Sequence, residues 1–160
     1  MRAAIAIAVL LVVGAILWVV LRAPDRSEED RVREVIEAVA QGARERDLDA
    51  TFEPISQRYT HEELTRPQVK AYVFSQFQKR KNLSIALGPI DVRFPSEGRA
   101  TADFEAGIAE GIDLTTLDLL PDQADAYDFH VELENEDGEW KVVGHEQRSQ
   151  TGSRDRIVPP

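Results

Sequence analysis

Residues 126–148, AYDFHVELENEDGEWKVVGHEQR, hold two of the chain's three histidines, seven of its carboxylates and one of its two tryptophans. An imidazole beside a carboxylate can relay a proton, and a carboxylate whose pKa is raised by burial can act as a general base. Alternation works against both in most of this stretch. Tyr127, Phe129, Val131 and Leu133 share one face of a period-two segment, and Asp128, His130, Glu132 and Glu134 share the other. The same reasoning puts Asp103 opposite Phe104 and away from the core. Tyr72, Tyr127 and Trp140 point inward and read first as core aromatics. His145 is the exception, because its phase depends on whether Gly144 hosts a bulge. His61, beside Glu62 and Glu63, reads as a surface loop residue. His130 with Glu132, and His145 with Glu146, are spaced as strand neighbours and do not converge on a metal. No H-E-x-x-H, EF-hand, glycine-rich phosphate loop or G-x-S-x-G pattern occurs. No catalytic residue, metal or cofactor is assigned.

These residues need elements to carry them. Ser27 opens SEED, an N-cap followed by acids, with Asp30 at the capping-box position. Val32, Val35, Ile36, Val39 and Ala43 then recur at helical spacing, and Arg44 and Arg46 close the helix. DLDATFEPIS predicts a short second helix stopped near Pro54. After a loop with Tyr59 and His61, Thr65 caps a third helix, in which Val69, Tyr72, Val73 and Phe77 face the core. The period then switches from 3.6 to 2. Leu83, Ile85 and Leu87 alternate, Gly88–Pro89 interrupts, and Ile90, Val92 and Phe94 resume. PSEG turns the chain into Ala100, Ala102, Phe104, Ala106 and Ile108. A longer amphipathic connection over 109–125 leads to the 126–148 hairpin, which turns at NEDG.

Residues 3–21, AAIAIAVLLVVGAILWVVL, carry no charge. Nineteen helical residues span roughly 28 Å, close to the roughly 30 Å hydrocarbon core of a bilayer. A cleaved signal peptide would have a shorter apolar run and a small-x-small site, which Trp18–Arg22 does not supply. Residues 1–22 are therefore expected to be an uncleaved anchor, 23–26 a linker, 27–149 one domain and 150–160 a disordered tail. A short leading tail before a long domain favours an extracytoplasmic domain on the cytoplasmic membrane. The absence of cysteine removes disulfides and thiolate chemistry. Of 19 basic and 29 acidic residues, five and two respectively lie outside 27–149, which leaves that segment at −13. Such a domain is repelled by a phosphate backbone, so nucleic acid is excluded as a partner. Between Arg99 and Lys141 there are thirteen Asp and Glu and no Lys or Arg. They form a docking face for a basic partner, a low-affinity divalent-cation surface, or a solvated outer sheet face that discourages edge pairing.

Helices followed by antiparallel strands give an α+β domain with helices on one face of a curved sheet. The succession RERDLDATFEPIS, NLSIALGPIDVRF, GRATADFEA and DGEWKVVGHEQRS resembles the nuclear transport factor 2-like superfamily, the cone-shaped fold shared with ketosteroid isomerase, scytalone dehydratase and polyketide-cyclase-like proteins. It covers residues 28–149. The resemblance implies a cone whose pocket would be lined by Tyr72, Phe104, Tyr127, Trp140 and His145, and homodimerisation through the outer sheet face. Its isomerase branch implies a buried carboxylate base facing hydrogen-bond donors, a set that does not map onto this chain residue by residue. Folds of this kind host enzymes and binding modules alike. The expectation is a non-enzymatic, membrane-anchored accessory domain for a protein partner or a small apolar ligand. The alternative is an isomerase-, dehydratase- or cyclase-like enzyme acting on a small apolar substrate.

Overall fold

The first helix begins where Ser27 can satisfy its free N–H groups. In the computed structural model, which describes residues 26–80, 82–111 and 125–150, Ser27 Oγ accepts from the Asp30 N–H at 3.1 Å and donates to the Asp30 carboxylate at 2.7 Å. The expected anchor at 1–22, most of the linker, the centre of the 109–125 connection and the tail from 151 lie outside the described residues. Among the described residues, no helix is long and apolar enough to cross a membrane.

Helix α1 (Glu28–Glu45) buries Val32, Ile36 and Ala40 and ends at Arg46, whose φ of 57° is left-handed. Asp47 then caps α2 (Leu48–Phe52), accepting from the Asp49 and Ala50 N–H groups at 3.0 and 2.9 Å. The loop holding Tyr59 and His61 is a small hairpin of β1 (Thr60–His61) and β2 (Leu64–Thr65). Helix α3 (Arg66–Lys79) follows, with Gln68 Oε1 accepting the Thr65 N–H at 2.9 Å. The arginines closing α1 reach other elements. Arg44 Nε donates to the Ile85 carbonyl at 2.7 Å, and Arg46 donates to that of Phe77. They tie α1 to the sheet and to α3.

The main sheet is antiparallel, in the order β3 (Leu83–Leu87), β5 (Arg99–Glu110), β6 (Asp125–Glu136), β7 (Glu139–Ser149). Strand β4 (Asp91–Ser96) pairs with the first half of β5, and β3 with the second half. The break at Gly88–Pro89 lets one long strand serve both, and Gly88 N–H still bonds to the Glu105 carbonyl at 2.9 Å. At the β6–β7 turn, Asp137 and Gly138 take φ of 54° and 90°, the paired positive values of a two-residue hairpin.

The core packs α1 on the small residues of β5. Val32 and Ile36 lie with Ala100 and Ala102, backed by Val131, Leu133, Trp140 and Val142. Trp140 closes one end, where its indole N–H donates to Glu28 Oε2 at 2.7 Å. That bond, followed by one from Arg31, holds the Glu28 carboxyl below its usual pKa. Tyr72 does not face the core: it is 62% exposed. Helix α3 presents a single line of Val69, Val73 and Phe77 four residues apart, too narrow to include Tyr72 or Phe74 on its flanks.

Gly42 is where α1 meets α2. A Cβ there would stand 2.5 Å from Thr51 N and 2.8 Å from its Cα, both rigid backbone atoms. Gly42→Ala should therefore destabilise by about 1–3 kcal/mol in urea unfolding, although alanine favours a helix by about 1 kcal/mol. A rise in stability would mean that α2 is free to slide.

Candidate functional site

Around Phe104 an apolar pocket of about 270 Å³ opens between the helices and strands. Helix α1 supplies Ile36, Val39, Ala40 and Ala43, and α3 supplies Val69 and Val73. The floor is Ile85 and Leu87 of β3, Phe104, Ala106 and Ile108 of β5, and Phe129 and Val131 of β6. Phe104 and Phe129 stack with centroids 5.4 Å apart. Three polar side chains reach the wall: Thr51, Tyr59 and His145. No Asp, Glu, Lys or Arg is among the described lining residues.

His145 reaches this cavity through a register shift. Glu132 pairs with Gly144, but Leu133 pairs with Val142, which leaves Val143 as an extra residue in β7. Before it, Trp140 and Val142 point inward; after it, His145 does, opposite the inward Val131. Tyr59 Oη lies 2.6 Å from His145 Nδ1. Burial pushes the phenol up to about 12 and the imidazole down to about 4, with the charge of His61 adding to the latter. Both are neutral at pH 7, so the contact is a hydrogen bond between two uncharged groups. His61 stacks on His145 with centroids 4.1 Å apart, and its Nδ1–H donates to the His145 carbonyl at 3.1 Å.

A second depression, of about 590 Å³, lies along the sheet edge on the other side of His145, among His61, Glu62, His130, Glu132 and Glu146. Its side chains stay wet. Among the described residues, no group of three His, Asp or Glu could hold a metal ion. His130 bonds to Asp103 at 2.6 Å on the outer face, where Arg93 also approaches Asp103 at 3.6 Å.

Of the residues expected to line a pocket, Phe104 and His145 do. Tyr127 packs beside Phe129, 6.3 Å between centroids, and is not in the lining. Trp140 lies at the other end of the core and Tyr72 at the surface. Sequence reasoning missed Tyr59, set among polar residues in SQRYTHEEL. Its one signal is a large aromatic in a stretch whose only other apolar side chain is Leu64. The sequence ties the phase of His145 to a bulge at Gly144, and the extra residue is its neighbour Val143.

The buried imidazole makes stability depend on pH. The unfolded chain binds its proton near 6.5 and the folded chain only near 4. Stability contributed by neutral His145 is thus full above pH 6.5, falls as pH drops toward 4, and is level below that. The interval caps the effect at about 3 kcal/mol, and solvent screening of a half-buried ring lowers it to about 2 kcal/mol. Urea unfolding across this range should show that loss in the wild type and its disappearance in His145→Phe.

No protein-family model matches the chain, and no curated protein matches it by sequence. Solved structures match it by shape. An NTF2-like protein of unknown function from Pseudomonas putida superposes with a TM-score of 0.62 at 16% identity, covering 74% of this chain and 84% of that one. An uncharacterised protein with a cystatin-like fold from Caulobacter vibrioides gives 0.63 at 14% identity, covering 81% and 96%. A hexachlorocyclohexane dehydrochlorinase of LinA type 3 from Novosphingobium barchaimii gives 0.62 at 13% identity, covering 84% and 96%. Identity this low carries the fold and not the chemistry. The chain therefore shares the fold of nuclear transport factor 2-like proteins, with helices laid against one face of an antiparallel sheet.

Proposed function

We propose that the protein is a non-enzymatic binding module for a small apolar molecule, held at the cytoplasmic membrane by residues 3–21 with its domain on the outer side. The observation that carries the binding role is the composition of the cavity: about 270 Å³ walled by aliphatic and aromatic side chains, with no ionisable acid or strong base among the described lining. Apolar walls favour burial of hydrocarbon by about 25 cal/mol per Å². The membrane placement rests on the uncharged run of 19 residues at 3–21.

The Tyr59–His145 pair is the feature that favours an enzyme, since dehydrochlorinase activity occurs on this fold. The pair is a poor proton acceptor. Nδ1 is engaged with the Tyr59 hydroxyl, and burial holds the ring far below the basicity useful at pH 7. No carboxylate stands in the described wall to take that role.

Ala106→Leu separates a binding cavity from a packing defect. The added side chain occupies the cavity, so indane binding by calorimetry should weaken at least tenfold while the melting temperature holds or rises. Unchanged binding in the variant would place the ligand elsewhere, and no binding to the wild type would end the proposal. For the anchor, the full chain should fractionate with membranes and a chain starting at Ser27 should not.

A further inference from the structure

Helix α3 turns Val69, Val73 and Phe77 inward, and the side that remains is unlike an ordinary solvated helix face. Pro67, Gln68, Ala71, Tyr72, Phe74 and Gln78 are exposed over three turns without one charge among them. Charged residues normally fill that side of a surface helix. Three of the four large apolar side chains exposed among the described residues belong to this segment: Leu64 at its start, then Tyr72 and Phe74, the last 50% exposed. Single exposed apolar residues need no explanation, but a cluster of them marks a contact surface.

The same segment is where the domain is positive. From Leu64 to Ile90 there are five basic residues, Arg66, Lys70, Lys79, Arg80 and Lys81, and no Asp or Glu, which leaves the rest of 27–149 at −18. Arg66 is engaged by the Phe52 and Ile55 carbonyls, and Lys70 by Asp49 at 2.7 Å. Lys79 and Arg80 form no ion pair among the described residues. The negative end of the helix dipole accounts for cations in the last turn, but not for the bare aromatics before them. Aromatic rings beside lysine and arginine suit the headgroup level of a bilayer, where the rings sit at the apolar boundary and the cations meet lipid phosphate.

We infer that the outward face of α3, with Tyr72, Phe74, Lys79 and Arg80, rests on the anionic surface of the bilayer that holds residues 3–21. This rests on the reading of that run as an anchor. Residues 22–26 then reach at most about 18 Å, more than the roughly 10 Å diameter of a helix and less than the roughly 27 Å length of α1. The domain can lie along the bilayer but cannot leave it, and charge decides which face turns down. A sheet-side contact would press carboxylates against lipid phosphate. With α3 down, a helix layer about 10 Å thick separates those acids from the lipid, more than the roughly 8 Å Debye length. Each free cation is worth about fivefold in surface affinity, too little to hold an untethered domain and enough to orient a tethered one.

The chain has no cysteine, so one spin-labelled cysteine reports one position in the full chain. Gln78→Cys places the label on the α3 face and Glu105→Cys on the outer sheet face, both at exposed positions. The readout is accessibility to lipid-soluble oxygen relative to a water-soluble nickel chelate. In phosphatidylcholine vesicles with about 30% phosphatidylglycerol, that ratio should be about threefold higher at residue 78 than at 105. The difference should shrink in pure phosphatidylcholine and vanish in Lys79→Glu with Arg80→Glu. Tyr72→Ser with Phe74→Ser should abolish it independently, and neither pair touches a buried side chain. Equal, water-like ratios in a chain that floats with the vesicles would overturn the inference and leave the anchor standing. So would a difference that survives charge reversal, or one with spin–spin broadening that disappears on dilution in lipid, the mark of a second copy. A chain that does not float with the vesicles would overturn the anchor reading and the inference with it.

Discussion

One residue in β7 sets the face on which everything after it falls. A strand places alternate side chains on opposite faces, so an insertion exchanges the faces of all that follows. Trp140 and Val142 lie inward by the phase before Val143, and His145 by the phase after it. The shift is held from the strand's free edge as well as from β6. Val142 N–H donates to the Pro54 carbonyl at 3.0 Å, and its own carbonyl accepts the Ser56 N–H at 2.9 Å. The segment that makes these bonds continues through a turn, Tyr59 N–H to the Ser56 carbonyl at 3.2 Å, which sets Tyr59 beside His145. The contact of His145 with Tyr59 is thus a consequence of strand register. Gly144 contributes little to this by size, since a Cβ there would meet Glu132 and Thr60 at an ordinary 3.6 Å.

The acidic outer face is organised by arginines brought from outside the acidic run. Arg58 bridges Glu134 and Glu136 at 2.8 and 2.7 Å, and Arg99 approaches Glu134 at 3.2 Å. Ser56 donates to Glu136 at 2.7 Å and, ahead of Arg58, holds that carboxyl below its usual pKa. In each pair the arginine is well exposed, and such pairs contribute little to stability one by one. Their effect is on charge: they offset part of the repulsion within a segment carrying −13. Cohesion comes from the inner face, where Val32, Ile36, Ala102 and Leu133 are almost fully buried.

Local signals in the sequence were enough for the elements. Ser27, Asp47 and Thr65 begin helices because their own side chains, or Gln68 for Thr65, meet the free N–H groups. The change of period at Leu83 and the Asp137–Gly138 turn are equally local. Residues whose position depends on distant contacts were not legible. Tyr72 fits the helical spacing of α3, yet whether a flank is covered depends on how closely the helix lies on its neighbours, and this one lies over a cavity. Tyr59 is buried by a strand 80 residues away in sequence, through the bridge of Ile55 to Val142 and the contact with His145. Trp140 was correctly placed inside, but the pattern of one strand does not say at which end of the core it lies. Period gives a face and no depth.

Depth is also where the cavity comes from. Over Ala100 and Ala102, α1 approaches the sheet closely and Val32 and Ile36 fill the space. Past Phe104 the facing residues Ala40, Ala43 and Ala106 remain small while α3 stands off, so nothing fills the gap. The gap is open to solvent, and wall residues such as Val69, Ile85, Phe104 and Phe129 are only part-buried, so leaving it empty exposes apolar surface at about 25 cal/mol per Å². One larger side chain at Ala106 would recover part of that. Random substitution reaches such changes easily, so small residues around a large gap are most simply explained by something that occupies it. The division of labour then follows from magnitudes. In the proposed ligand complex, hydrocarbon contact with the wall would supply most of the affinity, and a single hydrogen bond of about 1 kcal/mol net would decide among molecules of the same shape.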